Sequence, residues 1–184
     1  MFSGRGPLPW LLPGIVVALL VATLASGALG RALGVRKVVA WVLLLNLGII
    51  LSATLTPQRE AFELGVSASG ACDLSRLGPP TLDELFRGGD VGLNILMFIP
   101  LGVAIAVVPM SRGRTALVII AVALPFAIEV IQLLLPALDR ACESADVVDN
   151  LTGLVIGLAA GTVIGRLVPG LGRPAERSRP SVTG

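Results

Sequence analysis

"DVVDNLTGLVIGLAAGTVIG", residues 146–165, places a glycine at every fourth position after an acidic start. Glycines at this spacing share one helix face, and inside a membrane they let a second helix approach closely. Asp149 and Gly153 lie on the same side, so the packed face also directs acids toward the bundle. The segment therefore predicts a tightly packed membrane helix with polar groups at its start. The predicted packing glycines are Gly153, Gly157, Gly161 and Gly165, together with Gly102 in an earlier segment.

The composition of the whole chain agrees with a membrane location. The 184 residues are 54% apolar and only 14% charged, and the mean hydropathy is +0.90. A soluble domain of this length would carry roughly a quarter charged residues. The sequence has no histidine and no tyrosine, which excludes histidine-based catalysis, histidine metal sites and tyrosine nucleophiles. The net charge of +2 does not suggest a nucleic-acid partner, and no metal or cofactor is predicted.

Five segments are long enough to cross a bilayer, which takes about 20 apolar residues. They are residues 10–29, 38–55, 91–110, 115–135 and 150–168. The predicted fold is an all-α polytopic transmembrane helix bundle with about five spans. Residues 1–168 form a single membrane domain, and residues 169–184 form a polar tail that is expected to be disordered and cytoplasmic.

The distribution of basic residues predicts the N-terminus outside and the C-terminus inside, because cytoplasmic loops carry an excess of lysine and arginine. With this orientation nine of the fourteen basic residues are cytoplasmic, against one acid, Glu176. The alternative for residues 1–29 is a cleaved signal peptide ending near "ATLASGA". Its n-region would contain only Arg5, and three cations would follow the apolar run, which is the wrong flank for translocation. The predicted location is the plasma membrane, as a multi-pass protein.

Cys72 and Cys142 are the only cysteines, and this orientation places both on the outer side. An oxidising compartment allows them to pair. The bridge would tie the long outer loop to the loop before the last span, and it would require Cα atoms within roughly 7 Å. The alternative is two free thiols in unrelated loops.

Polar residues within the spans are costly and usually functional. All of them fall near the extracytoplasmic ends of their segments. These residues are Asn94, Glu129, Gln132, Asp146, Asp149 and Asn150. Glu129 and Gln132 share one helix face, as do Asp146, Asp149 and Asn150. The sequence therefore predicts one polar site that faces outward.

Arg140 is the basic residue nearest to this site in the sequence. An unpaired ionised carboxylate within the membrane costs about 2–3 kcal/mol or more, so Glu129 either stays protonated or pairs with a cation. We expect Arg140 to cluster with Glu129, Asp146 or Asp149. Glu129 would be the buried acid, Arg140 the anion contact or counter-ion, and Asn94 and Asn150 the amides that order the cluster. The alternative is a buried ion network that locks the outer loops and binds no substrate.

Two prolines lie inside predicted helices, Pro100 in the third and Pro125 one turn before Glu129. Each removes a backbone hydrogen bond and kinks its helix. The freed carbonyls need partners in lipid, and Asn94, Gln132 or a trapped water would supply them. The alternative is a kink that serves packing alone.

Two segments together resemble the VanZ-like family of bacterial membrane proteins. The first is "NILMFIPLG" at 94–102 and the second is "EVIQLLLPALDRACESADVVDNLTGLVIG" at 129–157. The matching positions are Asn94, Phe98, Pro100 and Gly102, then Glu129, Gln132, Pro136, Arg140, Asp146, Asn150 and Gly153. The resemblance is strongest over residues 90–165 within a family region of about 38–168. Asp149 is an extra acid beside the motif asparagine.

The resemblance implies an envelope membrane protein. The founding member of the family is linked to low-level teicoplanin resistance, and relatives are linked to lipoglycopeptide resistance. Three functions follow as expectations, the first being binding of a lipid-linked cell-wall precursor or a lipoglycopeptide. The second is an intramembrane acid–base enzyme on an envelope lipid or precursor. The third is a purely structural or partner-binding role. A transporter ranks last, because its polar residues would continue across the membrane. Membrane lipids are the expected surroundings, and the sequence does not specify an oligomeric state.

Overall fold

The computed structural model describes residues 10–57, 71–81, 83–84, 89–168 and 170–171. Five long α-helices form the fold: α1 (Leu11–Leu33), α2 (Lys37–Thr54), α3 (Asp90–Ala106), α4 (Arg112–Leu134) and α5 (Ser144–Leu167). A 3₁₀ helix spans Pro136–Leu138, and two short strands, β1 (Cys72–Asp73) and β2 (Cys142–Glu143), pair in parallel. The predicted helical architecture is confirmed. The predicted tail, 169–184, lies outside the described residues apart from Gly170 and Leu171.

Four of the five helices, α1, α2, α4 and α5, are long and apolar enough to cross a membrane. The remaining helix, α3, is apolar but has only 17 residues. It ends at Ala106, whereas the sequence predicted a span that extended to residue 110. Pro109 accounts for the earlier end, because a proline disfavours the helical conformation of the residue before it. Val108 accordingly donates its N–H to the carbonyl of Ile105 in a tighter closing turn.

Helix α5 begins at Ser144, earlier than the apolar segment predicted from residue 150. Hydropathy locates only the lipid-facing part of a span, and the first turns of α5 are polar. The acid in the first turn, Asp146, suits the positive end of the helix dipole. Asp146 and Asp149 are therefore helical residues of α5, not loop residues ahead of it.

The helix ends separate into two groups. The disulfide end comprises the C-termini of α2 and α4, the N-termini of α3 and α5, and the two strands. The arginine end comprises the opposite termini and carries the described basic residues Arg31, Arg36, Lys37, Arg112, Arg114 and Arg166. The two groups give the bundle one end rich in acids and one end rich in cations.

Helices α3 and α5 pack most closely, and glycines make this approach feasible. A Cβ atom added at Gly102 would lie 2.5 Å from the carbonyl oxygen of Leu154, and one at Gly161 would lie 2.7 Å from that of Val103. Gly153 and Gly157 abut the carbonyls of Ile95 and Ile99 in the same way. These four glycines therefore lie directly against backbone of the neighbouring helix.

Gly165 is the exception, and its predicted packing role is wrong. Among the described residues, no atom lies within 4 Å of a Cβ added there. Helix α3 ends at Ala106, which faces Gly161, so it is too short to reach the last glycine of the stripe.

A second stripe of small residues joins α1 to α2. The buried residues of α1 recur every four positions and are Ala18, Ala22, Ser26 and Gly30. Ala18 fits against Gly48 of α2. The opposite face of α1 is exposed, with Leu24 83% accessible, as expected for a surface in contact with lipid. The sequence analysis did not single out this stripe.

The predicted disulfide between Cys72 and Cys142 is present, with Cα atoms 4.5 Å apart. The two cysteines are also register partners in the β1–β2 pair. The bridge therefore fixes the segment that follows Cys72 beside the N-terminus of α5.

Candidate functional site

The predicted polar residues come together at the disulfide end, and five of them are buried. Asp149 and Asn150 are the most deeply buried, at 0% and 1% exposure. The other buried members are Asn94, Glu129 and Gln132, contributed by α3 and α4. Asp146 and Arg140 are partly buried. Four elements thus contribute to the polar cluster, which we define as these seven residues.

Asp149 is neutralised by Arg76, which the sequence analysis did not propose. Nη2 of Arg76 lies 2.5 Å from Oδ2 of Asp149 in an ion pair. The same nitrogen lies 3.4 Å from the carbonyl oxygen of Ala145, and Ser144 Oγ donates to the Arg76 carbonyl at 2.8 Å. The hydrogen bond to Asp149 raises the pKa of the Arg76 guanidinium. The segment after β1 is therefore fastened over the start of α5.

Glu129 of α4 also binds the start of α5, through the backbone of the residue before the helix. Its Oε2 accepts the backbone N–H of Glu143 at 2.7 Å, and Glu143 is the residue immediately before the helix. Glu143 itself provides no side-chain cap. A carboxylate at this position complements both an N–H that has no partner within the helix and the positive end of the helix dipole.

The predicted ion pair between Arg140 and a carboxylate of the cluster is not found among the described residues. Nη2 of Arg140 donates to the carbonyl of Ala53 at 2.8 Å and lies 3.5 Å from that of Thr56. Gln132 Nε2 donates to the Thr54 carbonyl at 3.0 Å. Carbonyls at the end of a helix lack partners within it, so these two side chains cap the C-terminus of α2. Burial lowers the pKa of Arg140.

Pro100 and Pro125 lie inside α3 and α4, as predicted. Neither side chain proposed for the freed carbonyls binds them in the described part of the chain. Gln132 donates to the Thr54 carbonyl of α2, and Asn94 Nδ2 has no hydrogen-bond partner in the described part of the chain.

Several atoms of the cluster are buried without hydrogen-bond partners among the described residues. They are Asn94 Nδ2, Gln132 Oε1, Arg140 Nε, Asp149 Oδ1 and Asn150 Oδ1. A buried polar atom without a partner costs about 1–3 kcal/mol, and native proteins contain few of them. Five such atoms at one end of the bundle make this cluster the candidate binding site. The set contains three acceptor oxygens and two donor nitrogens, so it complements a group that both donates and accepts.

A comparison with protein families identifies the chain. The family model described as VanZ/LLP1 matches residues 10–165, which is most of the sequence. The protein belongs to the VanZ/LLP1 family. No curated protein and no solved structure matches it. The match runs from residue 10 to residue 165, so the family region of this VanZ/LLP1 protein includes α1 and begins earlier than the predicted residue 38.

Within the VanZ/LLP1 region, the sequence analysis missed Arg76 and Asn46. Asn46 lies near the middle of α2, is 8% exposed, and its Oδ1 has no hydrogen-bond partner among the described residues. A lone asparagine in "LLLNLGII", residues 43–50, is a readable signal, because amides are rare in apolar spans. Arg76 could have been found from the predicted disulfide, since it lies four positions after Cys72.

The acidic side chains of the cluster can be assessed as metal ligands and by the partners that they already have. Among the described residues, no group of three or more cysteine, aspartate, glutamate or histidine side chains could hold a metal ion. One oxygen of Glu129 and one of Asp149 already have partners, Glu143 N–H and Arg76. Each of these two carboxylates therefore has one oxygen engaged in holding the fold together.

Proposed function

We propose that this VanZ/LLP1 protein is an envelope protein whose polar cluster binds the head of a lipid-linked or lipid-bearing molecule. The observation that carries the proposal is the set of unpartnered buried atoms around Asn94, Asp149 and Asn150. Hydroxyl and amide groups, as in sugars and peptides, both donate and accept hydrogen bonds and would satisfy this set.

The apolar surface next to the cluster supports a ligand with an acyl chain. Leu93 and Leu96 on α3 are 56% and 62% exposed, and Leu134 at the end of α4 is 69% exposed. The acyl chain of the ligand would lie along these side chains in the lipid phase while the head group of the ligand enters the cluster. Lipid-linked cell-wall precursors and lipoglycopeptides combine these two parts. We therefore propose a contribution to resistance against teicoplanin and lipoglycopeptides.

The proposed topology has five spans in the plasma membrane, with the disulfide end extracytoplasmic. A 17-residue helix is about 26 Å long, close to the hydrocarbon thickness, and α3 lies alongside α5. The cations at the arginine end favour a cytoplasmic position for that end. The disulfide favours an oxidising compartment for the other.

We expect cysteine labelling in intact cells to locate the disulfide end outside. A membrane-impermeant maleimide should modify Cys72 and Cys142 only after reduction with an impermeant phosphine. In a Cys72→Ser/Cys142→Ser background, a cysteine introduced by Arg112→Cys should react only after permeabilisation. Labelling of the native cysteines without reductant, or only in permeabilised cells, would contradict the assignment.

The resistance proposal is tested by a substitution that separates binding from stability. Asn94→Leu removes an amide whose nitrogen has no partner, so stability should be unchanged or higher. If that amide serves the ligand, resistance in a susceptible Gram-positive host should fall to the empty-vector level. Minimum inhibitory concentrations of teicoplanin and a lipoglycopeptide, at matched membrane levels, provide the measurement.

Asn46→Leu is the matched control for Asn94→Leu. It removes an equally buried amide, but from the middle of α2 and away from the cluster, and it should leave resistance unchanged. Equal resistance in the wild type and Asn94→Leu would refute the site. A wild type that behaves like the empty vector would refute the link to these drugs.

A further inference from the structure

A cavity at the arginine end lies between the end of α3, the turn to α4 and the last turns of α5. Its volume is about 540 Å³, which is within the range of small-molecule sites. Apolar residues line its wall, including Val107, Pro109 and Met110. Thr162, Arg114 and Arg166 supply its polar groups. The cavity is thus amphipathic, with two guanidinium groups beside an apolar wall.

The two arginines are not neutralised within the described part of the chain. Arg114 donates from Nη1 only to the carbonyl oxygen of Val108, at 3.4 Å, and neither arginine forms an ion pair there. The described acidic residues all lie within 73–90 or 129–149, at the disulfide end or in its loops. Six basic residues share the arginine end with none of these acids, so its potential is positive.

Exposed apolar side chains occur in the cavity wall and next to lining residues on α5. Met110 in the wall is 83% exposed, and on α5 Val163 and Leu167 are 52% and 76% exposed. A soluble anion would not contact this apolar surface. A phospholipid would use both parts, with its phosphate at the arginines and its acyl chains on the exposed side chains.

We propose that this cavity binds the head group of an anionic phospholipid from the leaflet at the arginine end. A zwitterionic head group carries an ammonium that the two guanidinium groups repel, whereas a glycerol head group offers hydroxyls and a net negative charge. Thr162 supplies a hydroxyl at the same cavity. The site is separate from the polar cluster and does not depend on the function proposed for it.

The first test measures binding of phosphatidylglycerol and phosphatidylcholine to the full-length protein by native mass spectrometry from detergent. The wild type should retain phosphatidylglycerol in preference to phosphatidylcholine. Arg114→Gln/Arg166→Gln should weaken phosphatidylglycerol binding about 30-fold, from about 5-fold for each arginine near a lipid surface. A wild type without lipid preference would overturn the proposal.

Arg31→Gln/Lys37→Gln removes the same charge from the same end but outside the cavity, and it should retain wild-type binding. An equal loss in both double variants would show diffuse surface charge instead of a site. Soluble glycerol 3-phosphate should not compete at millimolar concentration. Competition at the affinity of the lipid would overturn the role of the acyl chains.

A third variant tests the cavity without altering charge. Gly165 lines it, and no atom of the described residues lies within 4 Å of an added Cβ, so Gly165→Leu should fill the space while the helices still pack. We expect phosphatidylglycerol binding to fall at least as far as in the arginine variant, with unchanged thermal stability. Unchanged lipid binding in Gly165→Leu would refute the cavity as the binding site.

Discussion

Gly157→Val is expected to prevent stable packing of α3 on α5 and to remove most of the folded protein from the membrane. A Cβ at this position would lie 3.0 Å from the Cα of Gly102 and would clash with the carbonyl of Ile99. Both obstacles are backbone atoms, so no side chain can rotate away. Overpacking of this kind costs about 1–3 kcal/mol where a core can adjust, and more where the backbone is in the way. We expect a loss above about 3 kcal/mol.

The measurement is the fraction of protein that stays monodisperse in mild detergent across a temperature series. Gly165→Val is the matched control, because it makes the same substitution on the same helix in open space. It should behave like the wild type. Equal melting of Gly157→Val and Gly165→Val would contradict the close α3–α5 approach.

Arg76→Ala is expected to have the second large effect. It leaves Asp149 fully buried without its cation, and removing one partner of a buried pair costs about 3–5 kcal/mol. Because Arg76 is 23% exposed, we expect the lower part of that range. The loss also frees the segment after β1, which Ser144 and Asp149 hold over α5.

A double-mutant cycle isolates this interaction. Asp149→Asn removes the buried charge, so Arg76→Ala/Asp149→Asn should recover much of the stability lost in Arg76→Ala. Leu77→Ala changes an exposed neighbour in the same segment and should have little effect. The ion pair has no structural role if Arg76→Ala melts at the same temperature as Leu77→Ala.

Three side chains at the disulfide end bind backbone groups at the end of a helix to which they do not belong. Glu129 of α4 binds the N–H ahead of α5, Gln132 of α4 binds the end of α2, and Arg140 also binds the end of α2. In lipid, backbone groups without partners are especially costly, so such cross-helix capping fixes the relative height of the helices. The polar cluster thereby has a structural role in addition to the ligand binding that we propose for it.

Much of the fold could be predicted because the controlling signals are local. An apolar run of about 20 residues specifies a span wherever it occurs, and a glycine every fourth position specifies a close contact face. The positions of Asn94, Glu129 and Asn150 along their segments predicted that all three lie at one end of the bundle. The error at Gly165 shows the limit, because contact there depends on the length of α3.

The sequence by itself determined the helical architecture and the placement of polar residues near one end of their segments, and it allowed Cys72 to pair with Cys142. Only the tertiary structure decided which partner each polar group has. Arg76 and Asp149 are 73 positions apart, whereas Arg140 is nearer in sequence to the acids but reaches the carbonyls of α2. The physical reason is that hydropathy and periodicity act along one segment. Hydrogen-bond partners depend instead on where the disulfide and the packed helices bring distant backbone groups.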